Sequence, residues 1–432
     1  MSNYPSEWEV TKFESLFTIS IGGTPSRSEP KFWDSNFETQ NHWVSIRDLK
    51  GKRITKTKER LTQLGVSKSN VKLIPKNSLI MSFKLSVGKL AIAGHDLYTN
   101  EAIAAFLPKD SRINMDFCYQ GMQQWDLLKD IDQAVKGVTL NKEKLARLEA
   151  VLPPLPEQQK IAAILSSVDE VIEKTQAQIN KLKDLKTGMM QELLSPREGQ
   201  AANINNPQGE SKNGLHHTEF KDSPLGRIPV GWEVVRFNDV LEKIDSGWSP
   251  SCIETPPSSG EWGVLKVSAV TRGKFLEKQS KTLPENLEPR TNIRVRAGDI
   301  LLTRANGVAD LVGKCVMINQ EPKSKLMMSD KILRLKPNNL IFDEFLLHTF
   351  NSQVTRRQIE LSWGGSSGQK NIGQADIKNY RLALPSYEEQ KVIARSISQV
   401  DNLLHEKSKK RDSLNHLKKA LMQDLLTGKV RV

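Results

Sequence analysis

Leu152-Pro153, followed by Glu157-Gln158 and Ile161-Ala162, returns later in the chain as Leu384-Pro385, Glu389-Gln390 and Ile393-Ala394. The offset is 232 residues and needs no gap. The match continues through Val168-Asp169 and Val400-Asp401. It ends at Met190-Gln191 with Leu193-Leu194, repeated as Met422-Gln423 with Leu425-Leu426. Of the 43 positions aligned from residue 152 to 194, 16 are identical. Solenoid repeats recur at roughly 20–50 residues. A period this much longer marks two copies of a whole domain with its connecting element.

The repeated stretch has the spacing of a helix. Ile161, Leu165, Val168, Ile172, Ile179, Leu182, Met189 and Leu193 alternate steps of three and four, with Thr175 and Lys186 as breaks. The second copy places Ile393, Ile397, Val400, Leu404, Leu414, Leu421 and Leu425 the same way, interrupted at Lys407, Arg411 and Lys418. That is a heptad stripe, and it needs a partner helix. Pro156 sits just ahead of the first helix, Ser195-Pro196 ends it, and Gly428 ends the second. Each helix spans about 38 residues, or about 57 Å at the usual rise. The obvious partner for each is the other copy, and a pseudo-two-fold between like surfaces makes the pair antiparallel.

Ahead of each helix lies a larger segment that matches its counterpart only near its beginning. Trp8-Glu9-Val10 with Phe13 returns as Trp232-Glu233-Val234 with Phe237. Gly23-Thr-Pro25-Ser26 loosely matches Gly247-Trp-Ser-Pro250-Ser251, and Trp43 to Arg47 roughly matches Trp262 to Lys266. These tryptophans read as scaffold. Residues 78–83 and 299–303 are apolar runs behind turn residues, with 89–93 and 314–318 as partner strands behind Gly88 and Gly313. Helix is expected around 115–132 and 342–361. The fold class is α+β: two pseudo-repeated domains, each a curved sheet plus helices, separated by two long antiparallel coiled-coil helices. The boundaries read as 1–152, 153–194, a polar linker 195–223 carrying His216-His217 as an incidental exposed pair, 224–384, and 385–432.

Net charge is +13, from 63 basic and 50 acidic residues. Residues 1–156 hold 22 basic against 17 acidic side chains, and residues 224–384 hold 23 against 17. Two similarly basic modules suit a single polyanion, with a nucleic acid slightly favoured. The plainer alternative is a soluble basic surface. Three scattered cysteines, Cys118, Cys252 and Cys315, fit a reducing cytoplasm and no disulfide framework. No 18-residue apolar run suggests a membrane span, and residues 1–9 do not read as a secretory signal.

Catalytic templates are missing. There is no G-x-x-x-x-G-K-[ST] loop, no complete dinucleotide fingerprint after Gly22-Gly23, no Asn-Pro-Pro-aromatic run, no metal-spaced His/Cys set and no G-x-S-x-G. What remains is a vocabulary for binding. Lys50, Lys52 and Arg53 open a basic run suited to phosphates, or equally to a solvated hairpin. Lys266, Arg272 and Lys274 hold a comparable place after Trp262. Arg304 and Asn306 follow an apolar strand, where they suit guanine and adenine edges, and Lys84 is the rough counterpart in the first domain. Gln369 and Lys370 close a glycine-rich loop beginning at Trp363. Arg27 and Arg47 complete the candidate DNA-binding set.

The doubled Leu-Pro-x-x-x-Glu-Gln-x-x-Ile-Ala start, long helix and Met-Gln-x-Leu-Leu end resemble the DNA specificity subunits of type I restriction–modification systems. Pro229-x-Gly231-Trp232-Glu233 fits that family too, while Pro5-Ser-Glu-Trp8-Glu9 departs from it with Glu7 in place of glycine. The resemblance covers nearly the whole length. It implies that each target recognition domain reads one half of a bipartite, asymmetric site in double-stranded DNA. It implies helices that fix the gap and dock two modification (methyltransferase) subunits, with restriction (motor and nuclease) subunits further out. It implies no catalytic residue and no cofactor in this chain. S-adenosylmethionine, ATP and magnesium are expected in the partner subunits. Two other readings stay open: a scaffold whose end domains bind proteins, and an enzyme with a nuclease or methylase centre of its own.

Overall fold

The computed structural model describes residues 4–84, 86–109, 111–125, 140–194, 217, 219–363 and 370–432. The chain divides into two compact units, one of residues 1–177 with 408–432 and the other of residues 178–407. The helices Leu155–Leu194 and Tyr387–Leu425 run 40 and 39 residues. Each unit thus takes the first half of one helix and the second half of the other. The first helix begins one residue before Pro156, so the proline sits in the first turn, where a missing N–H costs nothing.

In the first unit, a five-stranded sheet runs in the order Phe17–Ile21, Ile103–Pro108, Leu79–Ser82, Leu90–Ala93, Arg53–Ile54. Its central strands are buried on both faces because the sheet divides two cores. Leu79, Met81, Ile92, Ala104 and Phe106 face a cluster shared with Phe13, Phe117, Ile161, Leu165 and Leu425. The alternate residues Ile80, Ala91, Ala93, Ile103 and Ala105 face a second cluster with Val44 and Ile74. Period-two alternation of side chains makes this division automatic. Beyond the second cluster lies a three-stranded sheet, Glu59–Arg60, His42–Val44, Tyr98–Thr99.

The second unit repeats the plan. Its four-stranded sheet is ordered Leu241–Ser246, Ile332–Pro337, Ile300–Thr303, Cys315–Met317. Ile300, Leu302, Cys315, Leu333 and Leu335 face one core, and Leu301, Val316 and Ile332 face the other. A three-stranded sheet, Ser280–Thr282, Trp262–Leu265, Lys325–Met327, again follows. The two expected hairpins form as read, turning at Gly88 (φ 90°) and Gly313 (φ 80°). The positive φ at Gly313 favours glycine, and an added Cβ would lie 2.4 Å from Ile359 Cδ1. The helix expected over 342–361 is two helices, Asp343–Phe350 and Gln353–Ser362, because Ser352 caps the second by accepting from the Thr355 amide at 3.3 Å. Of the helix expected over 115–132, Met115–Gly121 is helical, and residues 126–139 lie outside the described residues.

The repeated Glu-Gln pair joins each sheet domain to its helix. Gln158 donates to the carbonyls of Pro153 (2.9 Å) and Arg112 (3.0 Å) and accepts from the Asn114 amide (2.9 Å). Gln390 does the same with Pro385 (3.1 Å), Leu340 (3.1 Å) and the Phe342 amide (2.8 Å). Trp8 donates its indole N–H to Glu157 (3.2 Å), and Trp232 donates to Glu389 (3.0 Å). Glu157 also takes Arg431 Nε, while Glu389 takes His217 Nε2 at 2.7 Å. His217 is therefore no incidental exposed residue. Its ring also meets Trp232 edge to face. His216 lies outside the described residues.

Three of the breaks in the heptad stripe, Lys186, Arg411 and Lys418, make cross-helix pairs, while Thr175 donates back to Val171 O in its own helix at 2.7 Å. In the first unit Lys418 meets Asp169 at 2.7 Å and Arg411 donates to Gln176 at 3.2 Å, so rising numbers on one helix meet falling numbers on the other. The pair is antiparallel there. In the second unit Lys186 meets Asp401 at 2.6 Å. Asp169 and Asp401, and Lys186 and Lys418, are each 232 residues apart, so both units build the same bridge from repeated residues. Among the described residues, no helix is long and apolar enough to cross a membrane.

Candidate nucleic-acid interface

Hydrogen-bond register aligns the two units residue by residue where their sequences diverge. Gly23 N donates to Thr99 O (2.8 Å) and Trp248 N to Met328 O (2.9 Å), so Gly23 corresponds to Trp248 and Thr99 to Met328. Leu61 N donates to Asn41 O and Leu283 N to Trp262 O. Trp262 therefore stands where the first unit has Asn41. Trp43, opposite Tyr98, corresponds to Val264, opposite Met327. The sequence match of Trp43 with Trp262 is off by two positions. Trp8, Trp43 and Trp232 are buried, but Trp262 is only half-buried.

In the first unit Arg27 lies 3.7 Å above the Trp33 ring and 4.9 Å from the Trp43 ring, and it is paired with Glu59. Glu59 also holds Arg47 at 3.2 Å. One strand carboxylate thus steadies two half-exposed guanidiniums, with stacking on indole adding to the hold. Lys50 is exposed in the following loop. Lys52 is turned inward, its side chain 15% exposed and bonded to Asp116 (2.8 Å) and Ser166 (2.6 Å). Arg53 shares Asp116 at 3.0 Å and donates to Asn77 at 3.0 Å. Of these three residues, Lys50 alone has no side-chain bond among the described residues.

Lys84 extends over the Phe83 ring, 5.4 Å from its centroid. The ladders revise its counterpart. Ser82 pairs with Ile103 and Thr303 with Ile332, so the residue matching Arg304 is the buried Phe83. The His42 and His95 rings lie 3.9 Å apart, tilted by 33°. Burial, with the neighbouring His95 and Arg60 charges, pushes the His42 imidazole down to about 4.

In the second unit the polarity of the scaffold is reversed. The position matching Glu59 is Lys281, opposite Val264 as Glu59 is opposite Trp43. Lys281 (2.6 Å) and Lys266 (3.1 Å) hold the loop carboxylate Glu254 between them. The hydrogen bond from Lys281 draws that carboxyl below its ordinary range, with Lys266 adding to it. Arg272 and Lys274 flank Gly273 (φ 72°) on an exposed turn. The Arg304 backbone is pinned, its N–H to Lys331 O and its carbonyl to Ile372 N, both at 2.9 Å. Its half-exposed side chain has no hydrogen bond or ion pair among the described residues. Asn306 pairs with Lys370 in a short antiparallel ladder, and its Oδ1 accepts from the Val308 amide at 2.9 Å. Lys370 lies 5.9 Å from the centre of the Trp363 ring. Gln369 lies outside the described residues.

Sequence reading missed Arg290, which covers the Trp248 ring at 4.2 Å. It also missed a hydroxyl–carboxylate pair present in both units. Thr24 Oγ1 donates to Glu101, and Ser249 Oγ donates to Asp330. No local signal marks either pair, since the partners are 77 and 81 residues apart.

The family model for the type I restriction modification DNA specificity domain matches twice, at residues 5–184 and 229–416. The EcoEI type I restriction enzyme specificity subunit of Escherichia coli is 38% identical over 164 residues, 37% of this chain and 27% of that protein. The putative MjaX type I specificity subunit of Methanocaldococcus jannaschii is 33% identical over 312 residues, 69% of this chain and 63% of that protein. The chain thus spans less than two thirds of the length of these curated relatives. The crystal structure of a type I restriction–modification S subunit from M. genitalium covers 98% of the chain and 97% of its own, with a TM-score of 0.61 at 14% identity. That likeness speaks for the fold.

Proposed function

The chain belongs to the type I restriction modification DNA specificity family, and from that membership we propose that it is the non-catalytic DNA-reading subunit of such a system. Each unit reads one half of a bipartite, asymmetric duplex target. The observation that carries this reading is a shared frame with different displays. The ladders align position by position, yet Arg27, Arg47 and Lys84 are offered by one unit and Arg272, Lys274, Arg304, Asn306 and Lys370 by the other. One frame with two sets of contacts suits two different short sequences. Lysine and arginine contacts to phosphates supply salt-dependent affinity, and base edges supply the choice. Tethering makes the second contact nearly intramolecular, so weak halves add up to firm binding.

The two long helices set the gap between the half-sites and dock two modification subunits. S-adenosylmethionine, ATP and magnesium belong to those partners and to the restriction subunits, in keeping with the missing phosphate-cradling and dinucleotide motifs in this sequence. The test is selection by the full chain from a randomised duplex library. A two-part motif with a fixed unread gap is expected, its affinity falling as salt rises. A single contiguous motif would overturn the assignment. Residues inserted in one long helix should change the gap and leave both half-sites as they were. If Lys50, Arg272 and Lys274 could all become Glu without loss of duplex binding, the protein-scaffold reading would replace this one.

A further inference from the structure

We propose that Glu101 and Asp330 are specificity-determining acceptors, each reading an exocyclic amino group of a base in its own half of the target. The proposal rests on the DNA-reading function above and names residues within it. In both units a glycine presses the incoming loop onto the same corner. An added Cβ would sit 2.1 Å from Thr99 O at Gly22, and 2.2 Å from Ser329 O at Gly247. Two residues on, the loop hydroxyl of Thr24 or Ser249 donates to the carboxylate of Glu101 or Asp330. Counting from the matched Thr99 and Met328, both carboxylates lie at the second following residue. The same chemistry thus recurs at one place in two domains whose other displayed side chains differ.

Both carboxylates are exposed. Lys84 and Arg27 act on Glu101, and the Thr24 hydrogen bond holds its carboxyl below the usual range. Asp330 adjoins Lys331, whose carbonyl pins Arg304. A carboxylate on a basic face repels phosphate, so it does not serve the backbone of DNA. It suits a hydrogen-bond donor at a base edge. In the major groove those donors are the cytosine N4 and adenine N6 amino groups. The hydroxyl fixes one carboxylate oxygen, and the other has no further side-chain partner among the described residues. The glutamate reaches one methylene further than the aspartate, so the two halves can read at different depths.

The test is the same library selection with the full chain, comparing Glu101→Ala, Asp330→Ala, Thr24→Val and Ser249→Ala with the parent. Glu101→Ala should flatten the preference at one base pair of one half-site by roughly ten- to a hundredfold. Asp330→Ala should do so in the other half only. Whether the released position was C or A identifies the amino group. Thr24→Val and Ser249→Ala keep the carboxylate, so they should retain the preference while lowering affinity several-fold at most. Equal loss from the hydroxyl and carboxylate variants would mean that the pair merely braces the corner. An unchanged motif in folded Glu101→Ala and Asp330→Ala would also overturn the proposal. A parent chain that selects no two-part motif would remove the DNA-reading function itself, and this proposal with it.

Discussion

Phe83 and Arg304 occupy the same ladder position in the two units, one step beyond Ser82 and Thr303. In the first unit that position faces inward and fills the aromatic core, with Phe83 1% exposed. In the second it turns a guanidinium outward, with only its backbone pinned. The frame fixes where the chain goes, and the side chain decides whether the position serves stability or reading. Truncation should separate the two roles. Phe83→Ala should cost about 3–5 kcal/mol of stability from the transfer and cavity terms. Arg304→Ala should stay within about 0.5 kcal/mol of the parent in urea unfolding, yet lower discrimination at one half-site by about tenfold. If Arg304→Ala unfolds as readily as Phe83→Ala, the contrast is lost and Arg304 is a frame residue.

Gln120 and His348 make a second such pair, each the sixth residue after the one whose amide donates to the clamping glutamine. Both are buried. Gln120 donates to Asp169 at 2.6 Å, and His348 Nε2 meets Ser398 at 3.2 Å. Gln120 does not titrate. Burial pushes His348 down to about 4, with Lys186 lowering it further and Asp401 opposing. The unfolded imidazole takes up its proton near pH 6.5, before the folded one does. The folded state is therefore penalised as pH falls from about 6.5 to about 4, by up to about 3 kcal/mol at the lower end. His42 in the first unit adds a loss of the same sign. His348→Gln, which copies the first unit, should lessen the fall in urea-unfolding stability across that window. A parallel pair of pH profiles would show that His348 is not the titrating group.

Much of this was legible in the sequence where interactions are local or periodic. The heptad stripe gave both helices, and turn residues ahead of apolar runs gave both hairpins. The stripe's interruptions at Lys186, Arg411 and Lys418 were visible as exceptions. Their meaning, a polar partner on the other helix, needed the fold. Register failed where the units diverge: Trp43 was matched to Trp262 because two tryptophans outweigh a two-residue slip in unaligned loops. Lys52 looked like its neighbour Lys50 because nothing local says that a side chain on this edge meets Asp116 and Ser166. His217 and the Thr24–Glu101 pair were unreadable for the same reason, since their partners are 172 and 77 residues away.

The exchange of Glu59 for Lys281 is the subtlest contrast between the units, and it predicts effects of opposite sign. In the first unit a strand anion holds two arginines, and in the second a strand cation helps hold a loop anion. Glu59→Gln removes the counter-charge shared by Arg27 and Arg47, leaving both stronger attractants for phosphate. Lys281→Gln removes one of the two cations offsetting Glu254, so that anion repels phosphate more. The logarithmic salt dependence of duplex binding should therefore steepen by about one unit for Glu59→Gln and flatten by about one unit for Lys281→Gln. The bases selected in both half-sites should be unchanged, because neither residue reaches past the side chains it holds. Shifts of the same sign would mean that the two scaffolds do not present their charges to one polyanion, and the inverted polarity would then concern folding alone.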